Sequence, residues 1–408
     1  MKIIVIGAGA AGMIAAGRAA EDAEKVILIE RNDFFGKKLR ITGKGRCNIT
    51  NSAETEDMIN MYPTNAKFLY SALYTFGNYD ITALLKKYGV ETKTERGGRI
   101  FPVSDKAADV VKALRKYALK SNVTSITARV KGIIAENGEI KGVKLSGKNI
   151  YADRVIVCTG GVSYPNTGST GDGYDFAREA GHTIIPPKPS LVPLVTEEKW
   201  VRDLMGLGLK NIAVTLKNDS GKKVYEDFGE LLFTHFGVSG PVVLSMSSHI
   251  KNINSERHLE IDLKPALDEE TLDARILRDF EKYSKKHLVN ALDDLLPKAL
   301  VPVVIKNAEL EEHKAVCEIT HTERLRLVHT LKHLSLTLKA FRPVEEAIVT
   351  SGGVKVSEIN PSTMESKKVK GLYFAGEVID VDGYTGGYNL QAAFSTGYLA
   401  GMSAAQEE

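Results

Sequence analysis

The sequence predicts an α/β protein whose dinucleotide-binding domain opens the chain, is interrupted by a long insertion, and is completed only after residue 343. Three observations predict it. Ile3-Ile4-Val5-Ile6 is a β-branched run followed at once by Gly7-Ala8-Gly9-Ala10-Ala11-Gly12, a small-residue helix pattern and a second apolar run, Val26–Ile29, ending in Glu30. A further buried-strand run, Arg154–Cys158, breaks on Thr159-Gly160-Gly161. After Arg342-Pro343 the β character returns, and Gly371–Glu377 is a third such run, followed by a glycine-led helix from Gly386.

Strand, glycine turn, helix, strand and acid form the dinucleotide fingerprint in its required context. Gly7 lets the chain turn off the strand, and Gly9 lacks the Cβ that would hold the backbone away from a pyrophosphate. Gly12 lets the helix pack close to the sheet, and its N-terminus, with Ala11, offers free N–H groups to phosphates. Glu30, 18 residues after Gly12, is placed to accept hydrogen bonds from a ribose diol.

From Arg31 a long connection runs to Asn51. Between Lys37 and Arg46 it carries five basic residues and no acidic one, with Gly43 and Gly45 among them. Thr42, Gly43, Gly45, Arg46 and Asn48 make a dense donor set suited to a diphosphate or a polar ring edge. The bland alternative is a solvated basic loop. Residues 56–90 read as helical, with Asn65 and Asp80 as caps. Strands follow at 90–95 and 98–102, a helix from Ser104 to about Lys120, and strands at 124–130, 132–136, 141–145 and 149–151 around an Asn137-Gly138 turn. Thr159 and Gly160 close the next strand at the sheet edge where ligands of open α/β sheets collect. Gly168–Gly173 reads as a loop that shapes the ligand site.

Prolines at 186, 187, 189 and 193 mark a stiff crossover and a domain boundary. The organisation expected is a discontinuous domain of residues 1–190 and 343–408, a β-rich insert over 191–265 and a helical one over 266–342. The glycine-bearing stretch Leu232–Pro241 is either a structural corner or a lid.

The hydrophobic share of 43% and charged share of 26% are those of a globular protein, and a net charge of +3 neither demands nor excludes a polyanion. No apolar run approaches the roughly 20 residues of a membrane span, and the chain leads directly into the nucleotide fold, so no leader is expected and a cytoplasmic location is. Cys47, Cys158 and Cys317 lie far apart, which indicates neither a disulfide framework nor a zinc site. His329 and His333 have a metal-like spacing but no glutamate in the HExxH manner, so no metal is expected.

The opening βαβ unit, the Thr159-Gly160-Gly161 strand end and the Phe374-Ala375-Gly376-Glu377 strand together resemble the two-motif FAD flavoproteins. The stretches Lys38–Asn51, Leu232–Pro241 and Gly386–Ala393 narrow this: the chain resembles one bacterial flavoprotein family described as aminoacetone-oxidase-like or BaiN-like. The resemblance implies FAD on a Rossmann-like domain, with the insert forming a small β-barrel and a helical subdomain. It implies Gly7, Gly9, Gly12 and Glu30 at the ADP half, and the Thr42–Asn48 loop near the pyrophosphate and flavin. Val130 would meet adenine, Gly376 and Glu377 the ribityl–pyrophosphate region. Gly387, Asn389, Leu390 and Gln391 would start the helix beneath the flavin ring.

The function expected is NAD(P)H-linked, FAD-dependent reduction of an electron-poor C=C bond in a small-molecule substrate held by the insert. No second GxGxxG marks a nicotinamide site. Cys47, His235 and Tyr384 are the candidate catalytic residues, although Cys47 has no partner for dithiol chemistry and can equally be a packed residue. One alternative, which the resemblance suggests, is formation of dihydrouridine in ribosomal RNA. Another is a flavin-binding redox sensor without turnover.

Overall fold

The computed structural model describes residues 1–406. The chain divides into two compact units, one of residues 1–190 with Pro343 onward and one of Leu191–Arg342. The first unit starts β1 (Lys2–Ile6), α1 (Ala10–Asp22), β2 (Lys25–Glu30). Short elements follow: β3 (Thr50–Asn51), α2 (Thr55–Ile59), α3 (Tyr70–Thr75), α4 (Asn78–Lys87), β4 (Thr92–Glu95) and β5 (Arg99–Pro102). Then come α5 (Ala107–Ala118), β6 (Val123–Thr127), β7 (Gly132–Glu136), β8 (Glu139–Leu145) and β9 (Lys148–Tyr151). The half closes with β10 (Arg154–Val157), α6 (Asp172–Glu179) and β11 (Ile184–Ser190).

The second unit contains β12 (Leu194–Thr196), β13 (Gly208–Lys217), β14 (Lys223–Phe233), β15 (Gly237–Ser239), α7 (Pro241–Ser247) and β16 (His258–Asp262). It continues with α8 (Glu269–Lys282), α9 (Leu288–Ala291), α10 (Val301–Asn307), α11 (His321–Lys332) and β17 (Leu334–Phe341). The chain then returns to the first unit with β18 (Val349–Val354), β19 (Leu372–Phe374) and α12 (Tyr388–Ala405).

The first unit is built on a five-stranded parallel sheet in the order β19-β10-β1-β2-β6. Its central strand is covered on both faces, with Ile3, Ile4 and Val5 wholly buried, which is why the sequence there is continuously β-branched. Helices α1 and α12 pack at backbone contact. A Cβ on Gly397 would stand 2.4 Å from the Ala11 carbonyl oxygen, and one on Gly401 2.5 Å from that of Ala15. Small residues four apart therefore bring two helices together so that both open at the carboxyl edge of the sheet.

Two sequence expectations need correction. The segment after Asp268 is not helical to Arg342: Leu334–Phe341 is a strand that pairs with both β12 and β16 and closes a six-stranded barrel. Its Leu334, Leu336 and Leu338 face inward and are buried, while Ser335 and Lys339 are exposed. The proline-rich crossover is itself a strand. β11 pairs antiparallel with β18, with a register shift between Ile185 and Lys188 that accommodates Pro186 and Pro187 at a bulge. The 232–241 stretch is a corner: Thr234 N–H donates to the Gly237 carbonyl at 2.8 Å, and β14 pairs directly with β15. Among the described residues no helix is long and apolar enough to cross a membrane.

Candidate cofactor site and active site

Gly7 stands at φ +97° where β1 ends, and a Cβ there would meet the Cys158 carbonyl oxygen at 2.5 Å. A Cβ on Gly12 would lie 1.8 Å from the Gly7 carbonyl oxygen, so no larger residue fits. At Gly9 the opposite holds: a Cβ would touch nothing within 4 Å. The space over the first turn of α1 is open, and that helix has no side-chain cap. Open space, an uncapped helix start and an acid at the end of β2 fit a dinucleotide. Glu30 is buried, its Oε2 accepting from Ala8 N–H at 2.7 Å and its Oε1 from the backbone and side-chain nitrogens of Asn32 at 2.9 and 2.8 Å. A carboxylate offers about four acceptor directions, which leaves room for a ribose hydroxyl.

Arg31 is committed within the chain. It donates to Thr170 Oγ1 at 2.5 Å and lies 3.4 Å from Asp172, which Arg129 also holds at 2.9 Å. Together with Asn32, which donates to the Thr167 carbonyl at 3.0 Å, this ties the end of β2 to the 167–172 loop. Val130 is buried just beyond β6. The Thr159 hydroxyl is buried without a hydrogen-bond partner, turned toward Gly173, where a Cβ would come within 2.1 Å of it. Gly160 has φ +74°, so this strand end presents backbone at the sheet edge.

The basic loop is a chain of left-handed turns, with Gly43, Lys44 and Gly45 at φ +56°, +58° and +85°. Thr42 Oγ1 donates to the Leu39 carbonyl at 2.7 Å. Arg46, expected as a phosphate donor, pairs instead with Glu95 at 2.5 Å and Asp105 at 2.6 Å and stacks over Phe101. Two carboxylates, 49 and 59 positions away, hold the guanidinium, a pairing that local sequence cannot show. With its side-chain amide oriented to suit its neighbours, nitrogen toward the two carbonyls and oxygen toward the N–H, Asn48 donates to the Thr50 and Ile100 carbonyls at 3.1 and 3.3 Å and accepts from Gly387 N–H at 3.0 Å. It thus fixes the turn that leads into α12.

Helix α12 starts after Gly387, at φ +102°, again without a side-chain cap. A Cβ on Gly387 would come within 2.4 Å of the Thr50 carbonyl oxygen, so glycine is obligatory there. Asn389 accepts from Gly383 N–H at 2.8 Å and donates to the Gly383 and Tyr384 carbonyls at 2.6 and 3.2 Å. Leu390 packs on the core beside it. Gln391 is fully buried, accepting from Thr50 Oγ1 at 2.6 Å and donating to the Phe76 carbonyl and Ser395 Oγ. Its side chain is therefore structural, and only its backbone can serve a ligand. Gly376 has φ +76°, and a Cβ on it would meet Ala11 at 2.9 Å.

Sequence reasoning missed Lys38. Its ammonium reaches Glu377 Oε2 at 2.6 Å and Ser163 Oγ at 2.6 Å, while Glu377 Oε1 accepts from Ser163 Oγ at 3.0 Å and from Thr350 N–H at 2.8 Å. Burial works to raise the Glu377 carboxyl, but Lys38 and the two donors prevail and hold it below the usual carboxylate range. The signal available was only that Lys38 falls in a loop already marked for ligand contact.

The three catalytic candidates separate. Cys47 is fully buried at φ +64°, and burial pushes its thiol up to about 12, so it is a packed core residue and no thiolate nucleophile. His235 lies exposed at the corner between β14 and β15 in the inserted unit. Tyr384 sits at the edge of the Asn389-pinned turn, its N–H bonded to the Met61 carbonyl at 3.0 Å. Burial, helped by the Asp382 carboxylate, raises its phenol, which stays protonated at neutral pH.

The HI0933-like protein Rossmann domain family matches residues 1–403. The chain belongs to this HI0933-like family of FAD-binding oxidoreductases. Three of its relatives match nearly its whole length. A Clostridium scindens protein named 3-dehydro-bile acid delta(4,6)-reductase is 33% identical, covering 99% of both chains. A Haemophilus influenzae protein named ribosomal RNA dihydrouridine synthase is also 33% identical, covering 99% of this chain and 98% of its own. In fold, the HI0933-like chain resembles the 3-ketosteroid-delta4-(5alpha)-dehydrogenase of Rhodococcus jostii RHA1, with a TM-score of 0.55 at 17% identity over 99% of this chain and 96% of that one.

Proposed function

We propose that this HI0933-like protein reduces a C=C bond conjugated to a carbonyl group, with NAD(P)H as the electron donor. The observation that carries this is the end-to-end similarity to a protein named as a bile-acid reductase. A second name among its relatives denotes RNA chemistry of the same kind, because uracil presents a C=C bond conjugated to a carbonyl. Ribosomal RNA is accordingly the second reading, favoured by the Haemophilus influenzae relative and by an Escherichia coli protein of the same name at 31% identity.

Reduction of such a bond adds a hydride at the β carbon and a proton at the α carbon. FAD, when bound, supplies the hydride chemistry. The residues at Gly7–Gly12, Glu30 and Gly376–Glu377 would hold it, and the N–H groups opening α12 favour negative charge at that helix end. Lys38 anchors Glu377, so that carboxylate keeps one geometry. The acid assigned is Tyr384, whose raised phenol retains its proton through the neutral range and whose backbone is pinned by Asn389 and Met61.

The test uses purified, yellow protein. NADH or NADPH added without oxygen should bleach the flavin band, and a 3-oxo-4,6-diene steroid should restore it. Dihydrouridine mapping of ribosomal RNA from a strain lacking the gene decides the second reading. If no acceptor supports NAD(P)H oxidation, the donor assignment fails; if neither enone nor RNA is reduced, the C=C assignment fails with it.

A further inference from the structure

We propose that the inserted unit carries a binding site for a borderline divalent cation of the Zn2+ class, formed by His329, His333 and Glu269. One ligand atom from each of these residues lies within 4.8 Å of those of the other two. The two histidines are four apart at the C-terminal end of α11, so their rings share one helix face, with centroids 4.7 Å apart. As in an HExxH site, the helix supplies only the two histidines, and the third ligand comes from elsewhere, here from the first turn of α8. His333 Nε2 stands 3.5 Å from Glu269 Oε1. Two ligands bonded at about 2.1 Å to a tetrahedral centre are separated by about 3.4 Å, so this pair already has the spacing that a shared ion imposes.

The histidine also has the outer support that metal ligands commonly show. Glu260 on β16 places Oε2 3.3 Å from His333 Nδ1, so in a metal-bound state Nδ1–H has an acceptor while Nε2 is the nitrogen that faces Glu269. Glu260 is itself held by Lys217 at 2.6 Å. The scaffold is rigid. Arg324 on α11 grips Asp273 on α8 through two nitrogens at 2.6 and 3.1 Å. Lys332 Nζ pairs with Asp262 at 2.6 Å and donates to the Leu267 carbonyl at 2.6 Å just before α8 begins. Leu272 and Ile276 of α8 and Leu327, Val328 and Leu331 of α11 belong to one buried core. His329 and Glu269 thus sit on two packed helices, and His333 caps the end of α11 where β17 begins.

Two imidazoles and a carboxylate suit Zn2+, Co2+, Ni2+ or Cu2+ and not Mg2+ or Ca2+. The site faces solvent, so water completes the coordination.

The test is a Co2+ titration of chelator-treated, flavin-loaded protein, followed by visible d–d absorption and by competition with Zn2+. The expected result is one Co2+ per chain, displaced by Zn2+, with affinity lowered about tenfold or more in Glu269→Gln and in Glu260→Gln, since losing a ligand or its outer partner has that effect. Glu269→Gln alters one exposed side chain, and an unchanged thermal melt in chelator shows that the variant is folded. The proposal is overturned if His329→Ala/His333→Ala binds Co2+ as well as the parent, or if the parent binds none at millimolar Co2+, in which case the cluster is a His333–Glu269 ion pair.

Discussion

Lys38 and Glu377 sit 339 positions apart yet form one charged contact of 2.6 Å, with only 22% and 20% of their side chains exposed. Lys38→Met leaves a half-buried carboxylate without its cation. The expected loss is about 1–3 kcal/mol at neutral pH. The sign with pH follows from the lowered Glu377 carboxyl. Its contribution is complete above the unfolded value, about 4.3, and is lost as pH falls through the folded value. Thermal melts of parent and variant should therefore differ at pH 7 and converge in acid; a constant gap would contradict the pairing. The cysteines give a second residue-scale expectation. Iodoacetamide should label exposed Cys317 in the folded protein and spare Cys47 and Cys158, both buried with raised thiols. Cys47→Ala should keep its turnover and lose about 1–2 kcal/mol of stability; peptide mapping and a melt check both. At this scale the sequence is legible only where one position decides alone. Gly7, Gly12 and Gly387 are required by backbone that would collide with a Cβ, and each is marked as glycine. Arg46 reads as a ligand donor, Gln391 as part of a helix start and Lys38 as one basic residue among five, because the partners that fix them are far away in sequence.

At the scale of elements, the glycines of α1 and α12 divide into those that admit a ligand and those that admit a helix. Gly9 faces open space, and its backbone, at φ −79°, suits any residue. Gly9→Ala should leave the flavin-free protein within about 1 kcal/mol of the parent. It should weaken FAD binding about tenfold or more, because a methyl group forced against a bound phosphate costs about 1–3 kcal/mol. Gly397→Ala puts its methyl into the Ala11 carbonyl and should cost about 1–3 kcal/mol with or without FAD. Melts of both proteins, with and without flavin, separate the two effects; equal losses in the flavin-free state would refute the division. The same scale shows why β17 reads as helix in the sequence. Leu-Ser-Leu-Thr-Leu alternates with a period of two, but it follows α11 with only His333 between them and no glycine or proline to mark the change. β11 misleads for the opposite reason: its prolines mark a break, and only the β18 partner shows that an edge strand with a bulge tolerates them.

At the scale of the whole molecule, the chain holds two separate hydrophobic cores. One runs from Ile3 through α12, and the other from Leu194 to Leu338 with its barrel and helices. The parallel sheet is legible because its β1, β2, β10 and β19 each run into a glycine or an acid; the barrel, expected from the family resemblance, is present, but its closing strand is not legible locally, because that sixth strand lies about seventy residues beyond the fifth. Chain return explains how a domain tolerates such an insertion. β11 and β18 run antiparallel, with Ser190 paired to Val349. The strand that leaves for the insert and the strand that returns lie side by side, and residues 343–348 suffice as the loop between them. Joining Ser190 to Pro343 directly should therefore give a folded protein that binds FAD and is yellow. Residues 191–342 expressed alone should melt cooperatively, on a core of their own. If the insert carries the substrate's contacts, as the sequence leads one to expect, the shortened protein should lose enone reduction while keeping its flavin spectrum. A colourless shortened protein would mean that FAD depends on the insert; a yellow one with full turnover would place the substrate's contacts in the first unit.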